Sequence, residues 1–238
     1  VGYTLPDSDV STTVLRDLSF TLAPGEKAAV VGRTGSGKSS LIQALLRFVP
    51  LSSGSISIEG VDTTDLRLRA LRQRILVLPQ EAVVVSCCTL RENLLMMLDN
   101  ADSVDVLSDS ELWDALKRVG LDAMTAKWGG LDAALDQADE LSNGQRQLLS
   151  LAQLILACKA IRAHHGRSLT GSEGHLIVLD EPNSNLDHAG EAALAGALAA
   201  LRKTGATIIV VTHRPSILTG MDKILVLNGG TIERFGPR

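Results

Sequence analysis

Gly32-Arg33-Thr34-Gly35-Ser36-Gly37-Lys38-Ser39 matches the pattern G-x-x-x-x-G-K-[ST] at every defined position. The β-like run Lys27 to Val31 precedes it, and Leu41, Ile42, Leu45, Leu46 and Phe48 follow at helical spacing. Strand, glycine loop, helix is the order a phosphate cradle needs. The glycines let backbone N–H groups turn inward at a helix N-terminus, where the dipole also favours an anion. Lys38 adds a point charge to the same phosphates, and the Ser39 hydroxyl is placed to ligand Mg²⁺.

The second half of a nucleoside triphosphate site is an apolar strand ending in an acid. Ile177-Val178-Leu179-Asp180-Glu181 supplies it. Asp180 is the candidate for the Mg²⁺ shell, and Glu181, one residue on and aimed elsewhere, for polarising an attacking water.

Outward from these motifs the chain alternates in character. Leu15 to Leu22 reads as a strand, separated from Lys27 to Val31 by Ala23-Pro24-Gly25-Glu26, and Ser55 to Ile58 and Ile75 to Leu78 read as two more. From Cys87 to Leu135 the signals are helical. Thr89-Leu90-Arg91-Glu92 and Ser108-Asp109-Ser110-Glu111 both fit a capping box. Leu112, Leu116 and Val119 form a stripe stopped by Gly120, and a further helix starts near Ser142. Sheet signals return with His175 to Asp180, a helix bearing Leu194, Leu198 and Leu201, and the strand Thr207 to Val211. That alternation predicts a parallel sheet with right-handed crossovers. Ile224 to Leu227, Asn228-Gly229-Gly230 and Thr231 to Glu233 predict a closing hairpin.

Composition sets outer bounds. With 238 residues, 45% apolar and 21% charged, the chain can bury a core without disulfides or a structural metal. Its 23 basic and 27 acidic residues give a net charge of −4, and its aromatic content is 3%. It therefore lacks the basic footprint and stacking platforms of a nucleic-acid binder. Three cysteines, two adjacent at Cys87 and Cys88, make no disulfide framework and no zinc pattern, so reduced thiols are expected. The richest apolar run, Leu148 to Cys158, is broken by Ser150 and Gln153 and is too short to span a bilayer. The start at Val1 and the end at Gly236-Pro237-Arg238 read as a piece cut from something longer.

Leu141-Ser142-Asn143-Gly144-Gln145 then adds a family-specific element. With it the sequence resembles the nucleotide-binding domain of an ABC transporter, whose signature is L-S-G-G-Q. The resemblance implies an α/β, P-loop NTPase core: a mostly parallel sheet with flanking helices, an N-terminal antiparallel β part and an inserted helical subdomain carrying the signature. The expected division is a single domain with its core at 1–80 and 160–238 and the helical part at about 81–159.

By the same resemblance, Gly32, Arg33, Thr34, Gly35, Ser36, Gly37, Lys38, Ser39 and Ser40 hold the phosphates of ATP. Tyr3 lies where the family stacks an aromatic on adenine. Gln80 matches the glutamine that touches Mg²⁺ or its water, so Ser39, Gln80 and Asp180 form the expected metal set. Ser184-Asn185-Leu186-Asp187 resembles the D-loop, and His213 the histidine that contacts the γ-phosphate. Glu181, His213 and Lys38 are the expected catalytic residues. Ser142, Gly144 and Gln145 are expected to bind the γ-phosphate of nucleotide held by an opposing domain.

Finer likeness runs to the multidrug-resistance-associated branch, subfamily C, through Leu71-Arg72, Pro79-Gln80, Leu90 to Leu94 and Gly144 to Leu148. An intact Glu181 beside an altered signature position, Asn143, is similar to that branch's second nucleotide-binding domain. The implied partners are another nucleotide-binding domain in the same polypeptide and the transmembrane domains of an exporter, at the cytosolic face of a membrane. No nucleic acid is expected as a partner.

Departures are specific. Between Leu141 and Asp180 lie 38 residues, with the excess at 162–174 expected as a surface loop. His164-His165 lacks further ligands for a metal. The segment Asp136 to Glu140 lacks the glycines usual in exporters, Asn183 and Asn185 replace Thr and Ala, and Gln153 replaces a common Arg. Chromosome-maintenance heads are disfavoured because only 60 residues, without sustained heptads, separate Gln80 from Leu141. A translation-associated member is disfavoured by weak basic character. A regulatory domain that binds ATP with little turnover stays open.

Overall fold

Residues 2–4, 11–98, 107–135, 141–164 and 175–238 are described by a computed structural model. Two compact units divide the chain, one formed by 1–77, 172–181 and 206–238, the other by 78–171 and 182–205.

The first unit is built on sheet. Short strands β1 (Gly2–Thr4) and β2 (Ser11–Thr13) pair antiparallel. Strand β3 (Lys27–Gly32) leads through the glycine loop into α1 (Lys38–Leu45). A two-residue ladder joins β4 (Ser57–Ile58) to β5 (Val61–Asp62), and α2 (Leu68–Arg74) precedes β6 (Ile75–Leu78). With β7 (Leu176–Asp180), β8 (Thr207–Val211), β9 (Lys223–Asn228) and β10 (Thr231–Pro237), a six-stranded sheet runs in the order β10-β9-β3-β8-β7-β6. β3 is parallel to both β8 and β9, β7 is parallel to β8, and β10 returns antiparallel on β9.

Burial explains the composition of these strands. Ile177, Val178 and Leu179 are fully buried, as a parallel strand covered on both faces requires. Each such side chain contributes about 1.5–3 kcal/mol when removed from water. Val30, Leu41, Ile42, Leu45, Val178, Ile209, Val211 and Leu225 form one cluster between α1 and the sheet.

The expected strand Leu15 to Leu22 is corrected: no ladder forms there. Leu18, Phe20 and Leu22 alternate toward the core cluster, with Phe20 against Phe235 at 5.6 Å between centroids, and Leu15 also joins that cluster but out of phase with them. Asp17 sits at φ 51, a left-handed conformation that interrupts strand pairing. Side-chain burial is satisfied while backbone pairing is not, and a cavity of about 780 Å³ lined by Leu18, Phe20, Leu22, Leu51 and Ile56 remains beside the segment. Ser55 and Ile56 likewise fall outside the ladder expected from Ser55 to Ile58.

The second unit is helical: α3 (Leu90–Leu95), α4 (Asp109–Arg118), α5 (Asp122–Lys127), α6 (Asn143–His164) and α7 (His188–Arg202). Both capping boxes form. Thr89 and Glu92 exchange bonds at the start of α3, and Ser108 and Glu111 do so at α4. Lys159, 2.8 Å from Glu111, is the main reason that carboxyl is held at about 2, with the cap bonds adding to it. Arg91 pairs with Asp109 and with Asp132, the latter at 2.6 Å. Buried Asn93 accepts from Val85 N–H at 2.8 Å and donates to Val85 C=O at 3.0 Å, fixing the turn before α3, and Gln153 Nε2 donates to the Asn93 carbonyl at 2.8 Å.

Because α6 continues to His164, the expected surface loop begins later than Arg162. The rest of that loop, from residue 165 to 174, and the segment Asp136 to Glu140 lie outside the described residues. The three cysteines are free, and burial pushes the Cys158 thiol up to about 12. No group of three or more potential metal ligands of the His, Cys, Asp and Glu types occurs among the described residues, nor any helix long and apolar enough to cross a membrane.

Candidate nucleotide site

Parallel pairing decides where the motif residues meet. β3 runs into the glycine loop, β7 ends at Asp180, and β8 ends at Val211, two residues before His213. Because β3, β8 and β7 are parallel neighbours, these three ends share one edge of the sheet. Ligands of open α/β sheets bind outside such carboxyl ends.

The loop is shaped by its glycines. Gly35 and Gly37 take φ 79 and φ 105, and a Cβ at Gly37 would stand 2.4 Å from Leu15 Cδ2. Ser36 N–H donates to Arg33 C=O at 3.1 Å, and Leu41 N–H to Gly37 C=O at 2.9 Å. Lys38 Nζ folds over the loop and donates to the carbonyls of Gly32 at 2.8 Å and Arg33 at 3.1 Å. Ser36 is buried, and its Oγ has no hydrogen-bond partner. Arg33, Thr34, Gly35 and Ser39 are exposed, and Ser40 is half-buried on the first turn of α1.

Asp180 is half-buried at the end of β7. Burial lifts its carboxyl above the ordinary range, the neighbouring Glu181 charge adds to that lift, and Lys38 opposes it. Glu181 has φ 44, a conformation uncommon for a non-glycine residue, and its N–H donates to Val211 C=O at 2.9 Å. Its Oε1 lies 3.4 Å from His213 Nδ1, with the His213 side chain largely exposed. A glycine-rich loop, an acid destabilised by burial and a carboxylate–imidazole pair thus lie along one sheet edge. A bound cation would relieve Asp180, and a phosphate would offer Ser36 and Lys38 new acceptors, so the residues present fit a nucleotide and its Mg²⁺.

Raised pKa values carry a sign. A carboxyl whose folded pKa exceeds its unfolded value favours folding below the unfolded pKa and loses that contribution as pH rises through the folded one. Once ionised, Asp180 therefore opposes folding. Asp180→Asn is expected to raise the melting temperature of the nucleotide-free chain while weakening the Mg²⁺-dependent shift produced by ATP. A lower nucleotide-free melting temperature would contradict the burial cause.

Other expected residues lie apart in the chain. Tyr3 is in β1, opposite Thr12. Gln80 is exposed in the bend just after β6. In the second unit Ser142 and Gln145 form a capping box of their own: Ser142 N–H donates to Gln145 Oε1 at 2.9 Å, and Gln145 N–H to Ser142 Oγ at 3.2 Å. Asn143 is the first residue of α6. A Cβ at Gly144 would lie 2.7 Å from the Asn185 carbonyl oxygen, so this glycine permits close approach of the Ser184 to Asp187 segment. Asp187 caps α7 by accepting from Gly190 N–H at 2.8 Å.

Known proteins resemble this chain in sequence and in fold. The family model described as ABC transporter matches residues 15–161. The chain belongs to the ABC transporter family. Its ABC domain is 35% identical over 229 residues to ABC transporter atnG of Emericella nidulans, covering 96% of this chain and 13% of that protein. It is 33% identical over 219 residues to ATP-binding cassette sub-family C member 10 of Mus musculus, covering 92% and 13%. A solved bacterial Atm1-family ABC exporter with ATP bound superposes with a TM-score of 0.78 at 26% identity, covering all of this chain and 38% of that one. The subfamily C likeness read from Leu90 to Leu94 and Gly144 to Leu148 agrees with these relatives. This ABC domain thus spans about an eighth of the curated relatives it matches.

Two backbone groups of the ABC domain have no sequence signal beyond residue type. They are the Asn185 carbonyl against Gly144, and Gly230, whose N–H reaches the phosphate loop.

Proposed function

We propose that this ABC domain binds Mg-ATP and hydrolyses it, and that it powers an exporter by pairing head to tail with a second nucleotide-binding domain. The observation that carries the reading is the gathering of Lys38, Asp180, Glu181 and His213 at the ends of three parallel neighbours, β3, β7 and β8. In this reading Lys38 releases its two loop carbonyls and donates to the β- and γ-phosphates, which the loop amides also face. Ser39 and Asp180, with Gln80, would hold Mg²⁺, which neutralises charge on the phosphate oxygens. Glu181 accepts a proton from the attacking water on its carboxylate, and its strained backbone sets where that carboxylate points. His213 steadies Glu181 through Nδ1 and meets the γ-phosphate as charge develops. Tyr3 stacks on adenine. Ser142, Gly144 and Gln145 serve the opposing domain's nucleotide at the N-terminus of α6.

Asn143, in place of the signature's glycine, favours a different domain of the same polypeptide as partner. The transmembrane domains would then place this one at the cytosolic side of a membrane. ATP turnover per domain, measured against protein concentration with Glu181→Gln as the blank, tests the pairing. A rise in specific activity with concentration is expected if two copies complement one another. Activity at blank level despite ATP binding would favour a regulatory binder, unless adding the parent's other nucleotide-binding domain restores turnover.

A further inference from the structure

The turn Asn228-Gly229-Gly230 joins β9 to β10, with Gly229 at φ 53 and Gly230 at φ 80, as a tight hairpin between two strands demands. Its surroundings ask for more than a turn. Gly230 N–H donates to Ser36 C=O at 3.1 Å, so the hairpin holds the phosphate loop from behind. Gly230 C=O accepts from Arg16 N–H at 2.8 Å, and the Arg16 guanidinium reaches Gly229 C=O at 3.3 Å. One residue earlier in the strand pair, Leu227 C=O stands 2.5 Å from where a Gly32 Cβ would be, at the register Gly32↔Leu227. A Cβ on Gly230 would fall 1.8 Å from the Val14 carbonyl oxygen and 2.9 Å from its carbon. Both are backbone atoms, and neither can rotate away.

We propose that Gly230 is a positioning residue for the phosphate loop: its backbone, pressed between Val14 and Ser36, sets the loop in the shape that presents its amides to a phosphate. The inference rests on the ATP-binding reading of that loop. Ser36 lies between Gly35 and Gly37, both at positive φ, so little within the loop itself resists a change of shape. Its own Ser36 N–H to Arg33 C=O bond and the Lys38 clasp are internal and move with it. The bond from Gly230 anchors it to the sheet through β9, which pairs directly with β3. A change of the loop on taking up phosphate would therefore be felt at the hairpin turn through that bond.

Three variants of the 238-residue chain separate position from strain. Gly229→Ala imposes positive φ on a residue with nothing within 4 Å, Gly236→Ala meets open space without positive φ, and Gly230→Ala adds the collision with Val14. Titration with a fluorescent ATP analogue in Mg²⁺ is expected to give a Kd raised about tenfold or more for Gly230→Ala, equivalent to about 1.4 kcal/mol. Gly229→Ala and Gly236→Ala are expected to stay within about threefold of wild type. A folded Gly230→Ala chain that melts lower but binds like wild type overturns the proposal, because its role is then structural alone. If Gly230→Ala does not fold, hydrogen exchange of the wild-type chain decides. On adding Mg-ATP, amides of 227–232 are expected to slow together with those of 32–38. Protection of the loop without the turn overturns the positioning role and leaves the nucleotide reading standing, whereas protection of neither overturns both.

Discussion

Glu181→Gln is expected to lower ATP turnover by about 10²-fold or more, the range associated with losing a general base, while ATP affinity stays within about threefold of wild type. The amide keeps the shape of the carboxylate and its place at the end of β7, where the N–H bond to Val211 C=O is untouched. What it removes is a basic oxygen 3.4 Å from His213 Nδ1. It also removes the charge that is the second cause of the lift on Asp180, so the Asp180 carboxyl moves back toward its ordinary range. The phosphate loop is untouched by the change, and a bound but unhydrolysed nucleotide is the expected product. Single-turnover hydrolysis and equilibrium titration on the same preparation separate the two quantities. Near-wild-type turnover would remove Glu181 from the chemistry and leave His213 without its assigned partner.

Much of this geometry is legible in the sequence because it is local. Gly32 to Ser39 carries its own strand, loop and helix start, and Ile177 to Asp180 is a buried run whose length and end are plain. Capping boxes at Thr89 and Ser108 are complete within four residues, and both form. Leu15 to Leu22 shows where the reading stops. From Leu18 to Leu22 alternation reports which side chains are covered, but the phase breaks between Leu15 and Leu18, and ladder bonds depend on a partner distant in sequence and on Asp17 staying extended, which it does not. The left-handed backbone of Glu181 belongs to the same class: nothing in the order Leu179-Asp180-Glu181 announces it. Asn228-Gly229-Gly230 reads as a hairpin turn, and it is one, yet its grip on Ser36 depends on β9 lying beside β3, a fact of topology. Residue type marks positions that need freedom, and only the fold says what they press against.

Lys38→Ala acts on the other half of the site and is expected to weaken ATP binding by about 10- to 100-fold, as the loss of charge-assisted hydrogen bonds to phosphate implies. Lys38 Nζ is paired with the Gly32 and Arg33 carbonyls, so donating to a phosphate would exchange two neutral acceptors for anionic ones. Alanine deletes that exchange. The same change withdraws the charge that pulls the Asp180 carboxyl down, so that acid becomes harder to ionise just as the phosphate would lose its ammonium. Thermal unfolding with Mg-ATP reads the result without requiring turnover. Ligand at one hundred times the wild-type Kd stabilises a folded chain by about 2.7 kcal/mol. A hundredfold loss of affinity leaves about 0.4 kcal/mol at the same concentration, since occupancy is then only half. Glu181→Gln should keep the full shift and Lys38→Ala should nearly lose it, an opposition that a general loss of stability cannot imitate because each melt is referred to its own nucleotide-free chain. An undiminished shift in Lys38→Ala would mean that the phosphates are held elsewhere, and the loop assignment would fall with it.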